Sequence, residues 1–294
     1  MEYALGMRGV QVGFRNFTLG PLDLDLEAGR VVGLVGPNGS GKTTTMRTII
    51  GALDRDGGLI EVCDRPAVPE DGRWKEDVGF VADRPLFYEW MNGGSFLRLI
   101  ARFYPRWDPA FARELAGRFR LDLAERIKGL SAGNRVKLSL VAALAHRPGL
   151  LLCDEPTAGL DPVIRAEVFD VLGTMMEDGE MTVFYSTHIL DDLHRLADDL
   201  VFLDRGRIRL HVAKDDLVDS WRRVRCHLSS DLPDLAGMIH HSRQGRVHEL
   251  VTSDYERTLA DLSGCGAESI RATAMSLEEI AVHIMKGDGH GQDH

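Results

Sequence analysis

Apolar positions along the first two thirds of this chain fall in short continuous runs rather than in alternation. "GRVVGLVG" (29–36), "LLLCDEP" (150–156) and "MTVFYSTH" (181–188) each read as a strand buried on both faces. Between them the period changes to that of a helix. "KTTTMRTIIGAL" places Met46, Ile49, Ile50 and Leu53 on one face, and "DPVIRAEVFDVLGTMMEDG" does the same with Ile164, Val168, Val171 and Met175. "DDLVFLDRGRIRL" reads as a strand pair turning at "DRGR". Strand–helix–strand alternation of this kind predicts an α/β fold, a mostly parallel sheet covered by helices. A helix-rich, aromatic insertion from about Arg84 to Gly129 interrupts it. A further helix is predicted after "LSAGN", with Leu140 and Leu144 four apart on one face.

The pattern changes after residue 213. "RRVRCHL", "RVHELVTS" and "ESIRATA" read as strands, and "YERTLADLSG" and "SLEEIAVHIMK" as helices, which predicts a small second α/β unit over 214–294. Its end, "GDGHGQDH", is polar and glycine-rich and reads as a solvated tail; His290 and His294 offer metal-binding chemistry, but composition favours solvation.

Composition narrows the function. The 294 residues are 44% hydrophobic and 27% charged, as expected for a globular chain with a full core. With 35 Lys and Arg against 45 Asp and Glu the net charge is -10, which argues against nucleic acid as a partner. No apolar run approaches the ~20 residues of a spanning helix, and the start "MEYALGMRGVQVGF" lacks a basic-then-apolar leader. A cytoplasmic chain able to dock on a membrane protein is expected. Cys63, Cys153, Cys226 and Cys265 are scattered, without C-x-x-C spacing, and read as reduced structural thiols.

Chemistry concentrates in four places. "GPNGSGKT" comprises Gly36, Pro37, Asn38, Gly39, Ser40, Gly41, Lys42 and Thr43, and stands between a predicted strand and a predicted helix. It has the spacing of a phosphate loop, in which glycines turn successive N–H groups inward, the lysine neutralises phosphate charge and the threonine hydroxyl ligates Mg²⁺. "LLLCDEP" ends a buried strand on Asp154, suited to hold Mg²⁺, and Glu155, suited to deprotonate a water. His188, just past the next strand, can hydrogen-bond a γ-phosphate. The start of the "LSAGN" helix, with small residues and no acid, presents unpaired N–H groups that suit an anion.

In order and content these segments resemble the ATP-binding subunits of ABC transporters, over about residues 5–212. "GPNGSGKTT", through Thr44, resembles the Walker A loop, "LSAGNR" the family signature, "LLLCDEP" Walker B, "GLDP" (159–162) the D-loop, and His188 the switch histidine. The resemblance implies a P-loop ATPase domain over 1–213, with a helical subdomain (about 84–135) nested in it. It implies ATP and Mg²⁺ as cofactors, catalysis by Glu155, His188 and Lys42, and a head-to-tail pair of identical subunits. Ser131 and Gly133 of one copy would meet the γ-phosphate held by the other, with Asp161 crossing between them. An aromatic residue should stack on adenine; Phe14 is the first choice and Phe17 the second. Two motifs depart from the family pattern: the signature, with Ala132 and Asn134, and the position of the glutamine that normally senses metal and γ-phosphate, here Asp83. Asp83 would then face the metal, or else cap a helix beginning near "RPLF". The insertion and the closing "SLEEIAVHIMK" resemble the ABC-2-type exporters of antibiotics and peptides, implying an integral-membrane permease as partner and residence at the cytoplasmic face of the membrane. The alternative is a regulatory nucleotide switch with low turnover.

Overall fold

The computed structural model describes residues 2–229 and 231–286. The tail Gly287–His294, with His290 and His294, lies outside the described residues. The chain divides into two compact units, Met1–Ile208 and Arg209–His294.

The first unit opens with a long hairpin, β1 (Tyr3–Phe14) and β2 (Phe17–Glu27), followed by β3 (Val31–Val35) and helix α1 (Lys42–Ile49). β4 (Gly57–Val62) and β5 (Arg65–Pro66) return to the hairpin, giving an antiparallel sheet in the order β2-β1-β4-β5. This sheet is absent from the expectation of strand–helix alternation. β1 does not show a clean period of two because its register shifts between Met7 and Val10 and again between Val10 and Val12.

After β6 (Val78–Val81) comes the insertion, with α2 (Gly93–Ile100), α3 (Pro109–Arg118) and α4 (Ala132–Leu144). Each begins on a side-chain cap: Asn92 accepts from the Ser95 amide, Asp108 from Ala110 and Phe111, and Ser131 from Asn134. Residues 84–92, expected within the helical stretch, are not helical. Their end is zipped instead to the segment before α4: the Ile127 amide donates to Met91 O and Lys128 to Glu89 O, and Asn92 bridges to Arg126.

β7 (Leu150–Asp154), α5 (Pro162–Met176), β8 (Thr182–Thr187), α6 (Leu190–Leu196), β9 (Asp199–Asp204) and β10 (Arg207–Ala213) complete the second sheet, ordered β10-β9-β3-β8-β7-β6. β9 pairs parallel with β3, β3 with β8, β8 with β7 and β7 with β6. Every residue of β3, β7 and β8 is buried, so these strands are mostly apolar, with Asp154, Thr182, Ser186 and Thr187 as buried polar exceptions. The expected turn between β9 and β10 falls on Arg205 and Gly206, whose positive φ values of 46° and 77° match a type I′ turn. The boundary between units falls inside β10, a few residues before the position expected from sequence.

The second unit carries α7 (Lys214–Ser220), β11 (Arg222–His227), β12 (Met238–Gln244), β13 (Val247–Thr252), α8 (Tyr255–Gly264), β14 (Glu268–Ala274) and α9 (Leu277–Lys286). Its sheet is antiparallel, β12-β13-β11-β14, over a core of Val224, Cys226, Leu235, Leu250 and Leu262. α7 and β12 carry no clear apolar period and escape a reading of the sequence.

Candidate nucleotide site

β3 runs directly into the glycine loop. A Cβ on Gly36 would stand 2.3 Å from Leu203 O and 2.5 Å from Ser40 Oγ, and Gly39 and Gly41 have φ of 80° and 114°. Side chains are therefore excluded where the loop turns. α1 starts at Lys42 with no acid in its first turn and, unlike α2 to α5, with no side-chain cap, so its first N–H groups and positive dipole end are left for an anion. Two further observations favour an anionic ligand here. Ser40 is 2% exposed, yet its hydroxyl has no hydrogen-bond partner. Lys42, 4% exposed, donates from Nζ to Gly36 O at 2.8 Å and Pro37 O at 3.3 Å, and pairs with Glu155 Oε1 at 3.1 Å.

The carboxylates stand at the end of β7. Asp154 is 2% exposed; its Oδ1 accepts from Thr43 Oγ1 at 3.1 Å and from Ser186 Oγ at 2.9 Å. Burial raises the Asp154 pKa; the Ser186 and Thr43 hydroxyls pull it back, while Glu155 and Asp83 push it further up. Glu155 sits in the left-handed region at φ 46°, and its Oε2 lies 2.7 Å from His188 Nδ1. A chain Lys42–Glu155–His188 thus runs beside the pair Thr43–Asp154. Asp83 is half exposed, 3.7 Å from Arg84 Nε, and lines a groove of about 630 Å³ that also holds Thr43 and Asp154. No helix follows Asp83 before α2, whose cap is Asn92, so the capping role is ruled out.

Hydroxyl and carboxylate oxygens are the donors that suit Mg²⁺. Among the described residues no three His, Cys, Asp or Glu side chains are grouped to hold a metal. An ion here would therefore complete its shell with phosphate oxygens and water, as Mg²⁺ bound to a nucleotide does. The residues present fit the ion in that form.

The remaining predicted residues divide. Phe14 is 47% exposed; Phe17, 6.1 Å from it between ring centroids, packs under the loop, its Cζ 3.1 Å from where a Cβ on Gly41 would stand. Pro37 and Asn38 are exposed on the loop, and Thr44 O accepts from the Thr48 hydroxyl. Ser131, Gly133 and Asp161 form a second cluster. Gly133 packs on Ile164, a Cβ there meeting Ile164 Cγ2 at 3.0 Å, and the Ile164 amide donates to Asp161, the cap of α5. The start of α4 is thus not bare, since the Ser131 hydroxyl serves it. Sequence reasoning missed Ser186 and a buried network in which Thr157 Oγ1 meets Tyr185 OH at 2.6 Å and Asp192 Oδ2 at 3.1 Å. The available signal for Ser186 was a hydroxyl ending an otherwise apolar strand run.

Known proteins share this arrangement. The family described as ABC transporter matches residues 19–158. The daunorubicin resistance ATP-binding protein DrrA3 of Streptomyces coeruleorubidus is 36% identical over 290 residues, 91% of this chain and 90% of its own length. The daunorubicin/doxorubicin resistance ATP-binding protein DrrA of Streptomyces peucetius is 31% identical over 92% of this chain and 88% of its own. A solved ATP-binding subunit of an ABC transporter superposes with a TM-score of 0.66 at 27% identity, covering 74% of this chain and 92% of that one. With relatives matched over nearly their whole length and the phosphate loop and acidic strand end in place, this chain belongs to the ATP-binding proteins of ABC transporters, a family of transport ATPases.

Proposed function

We propose that the chain binds ATP with Mg²⁺ in the loop of residues 36–44, hydrolyses it as one half of a head-to-tail pair, and so drives export through a separately encoded membrane permease. The observation that carries this reading is the Lys42–Glu155–His188 chain, at 3.1 and 2.7 Å, beside Thr43–Asp154. Lys42 is the cation for the β- and γ-phosphates, which compete with Glu155 for its ammonium. Glu155, once released, accepts a proton from the attacking water, and His188 orients it through Nδ1. Bound Mg²⁺ would supply charge neutralisation for the phosphate oxygens; Thr43 and Asp154 are the residues that would hold it, with Asp83 on the same groove as its further carboxylate. Phe14 offers its exposed ring to adenine, with Phe17 the alternative. Ser131 and Gly133 serve the partner copy's phosphate, and Asp161 lies at that interface.

Export is supported by the full-length relatives named for drug resistance. The permease contact is assigned to the insertion. Leu86, Tyr88, Trp90 and Phe103 are 95%, 57%, 74% and 70% exposed, whereas Phe87 is half-buried against Phe96 at 5.0 Å, so the aromatic run does not simply fill a core. Residues 84–135 hold ten Lys and Arg against five Asp and Glu in a chain of net charge -10. The partner that fits is a short cytoplasmic helix, apolar on one face with acidic flanks. Such a contact holds the subunit at the cytoplasmic face of the membrane.

Glu155→Gln tests the reading. It should keep ATP affinity, slow hydrolysis by roughly 100-fold or more, and accumulate an ATP-bound dimer on size exclusion. Wild-type turnover in this variant would remove Glu155 as the base.

A further inference from the structure

Ser186 is fully buried at the end of β8, in register with Asp154 of the neighbouring parallel strand β7. Its single hydroxyl does two things at once. It donates to Asp154 Oδ1 at 2.9 Å and accepts from the Glu155 amide at 3.1 Å, while Ser186 O accepts from the same amide at 3.1 Å. We propose that Ser186 is a positioning residue for both carboxylates: through one oxygen it fixes which face Asp154 turns to the metal and where the backbone of Glu155 stands. The inference rests on the ATPase reading above.

Two features give the hydroxyl this role rather than a merely filling one. The first is the partner count on Asp154 Oδ1, which accepts from Thr43 and from Ser186. Thr43 is itself a candidate metal ligand, and its oxygen is drawn to a bound ion. Ser186, which no nucleotide or ion needs, is then the constant donor that keeps the carboxylate from rotating. The second is the backbone of Glu155, a non-glycine residue at φ 46°. Such a conformation costs roughly 1 kcal/mol or more and persists only when its surroundings impose it. The bifurcated bond from its amide to Ser186 is the constraint in view. Alanine at 186 keeps the packing and removes the hydroxyl, leaving the second oxygen of the constraint and one donor to Asp154 missing.

The full chain carrying Ser186→Ala, and separately Ser186→Thr, should be compared with wild type in a Glu155→Gln background, where turnover does not deplete nucleotide. The readouts are Mn²⁺ bound in the presence of ATP, followed by its electron paramagnetic resonance signal, and binding of a fluorescent ATP analogue in EDTA. Outer-shell partners of metal ligands are worth about 10- to 100-fold in metal affinity. Ser186→Ala should weaken Mn²⁺ binding by that factor with metal-free nucleotide binding unchanged, and Ser186→Thr should restore it. In the Glu155-containing chain, Ser186→Ala should lower kcat with little change in the KM for ATP at saturating metal. Equal Mn²⁺ affinity in Ser186→Ala and wild type would overturn the proposal. So would a parallel fall in metal-free nucleotide binding, which marks a structural role alone. Absence of hydrolysis in the wild-type chain would strike the ATPase reading, while the Mn²⁺ titration would still decide the role of Ser186.

Discussion

The two sheets at opposite ends of the chain handle polar groups in opposite ways. In β3, β7 and β8 every residue is buried, so no charged side chain stands along the strands before their last residue; burial pushes the Cys153 and Tyr185 pKa values up and keeps both neutral. Chemistry is pushed to the carboxyl ends, where Gly36, Asp154, Glu155 and His188 all appear as the chain turns. In the second unit the strands alternate: Val224 and Cys226 of β11 face its core, while Arg225 and His227 face out. Polar residues are there spread along the strands and do not converge. Among the described residues, two of its polar contacts are local pairs that fix packing, Thr252 with Thr258 at 2.7 Å and His248 with His241 at 3.1 Å. A sheet buried on both faces concentrates function at one edge; a sheet with one wet face disperses it.

The hardest test of that contrast removes one residue from the first unit and the whole of the second. Lys42→Ala takes the cation from a buried ion pair, a change worth roughly 2–5 kcal/mol, and nucleotide affinity should fall about 30-fold or more by equilibrium dialysis. A chain ending at residue 213 should bind nucleotide within a few-fold of the full protein, because every loop and carboxylate contact is made before that point. Loss of binding in the shortened but folded chain would break the comparison.

A smaller effect is expected at the insertion. Trp90→Asp places a charge on a side chain that is already 74% exposed. ATPase activity of the isolated subunit should stay within about twofold, since surface changes usually fall within ±0.5 kcal/mol. Co-purification with the permease and stimulation by it should fall about tenfold. Misfolding of the isolated variant would show that Trp90 belongs to the core after all.

The division of labour is largely legible in sequence, because β3 and β7 are apolar runs leading into glycine or acid, and such runs survive any register. What was not legible depended on pairing. β1 is long, but two register shifts scramble its alternation. Residues 84–92 are aromatic and suggest a helix, yet their backbone partners lie at 126–128, a contact no local pattern reveals. The same holds for Ser186, which gains meaning only from standing beside Asp154 across a strand pair. α1 is shorter than its apolar face predicts: Ile50 and Leu53 lie beyond its last residue Ile49, although both still pack on the core.

Acid should separate the units through their histidines. His146 is fully buried, its Nε2 3.1 Å from Val78 O and its Nδ1 without a partner, and burial pushes its pKa down to about 4. An unfolded histidine titrates near 6.5. Below that pH the unfolded chain takes up a proton that the folded one refuses, so stability is lost as pH falls from about 6.5 toward 4, by on the order of 3 kcal/mol in all. His248 in the second unit is lowered in the same direction, by burial first and then by Arg243 and His241. His146→Leu should flatten the acid dependence of the urea midpoint for the first unit and leave that of the second; His248→Leu should do the reverse. Unchanged acid dependence in both variants would assign it to carboxylates instead.

The smallest effect belongs to Asp83, proposed for the metal side at the position where the family pattern has a glutamine. A carboxylate set directly against a γ-phosphate at ~4 Å would be repelled by about 4 kcal/mol at an effective dielectric near 20, too much for a site that binds ATP. Asp83 is half exposed and beside Arg84, and its charge is felt at Asp154. Facing the metal through a water is the arrangement consistent with all three. Water on half its surface keeps the effect to a few-fold. Asp83→Gln should retain ATP binding and narrow the difference between hydrolysis rates in Mg²⁺ and Mn²⁺, because a neutral amide discriminates less between ions than a charged oxygen. Asp83→Ala should slow hydrolysis in both ions. If wild type and both variants respond identically to the two ions, Asp83 has no part in holding the metal, and Thr43 and Asp154 carry that task from the protein side.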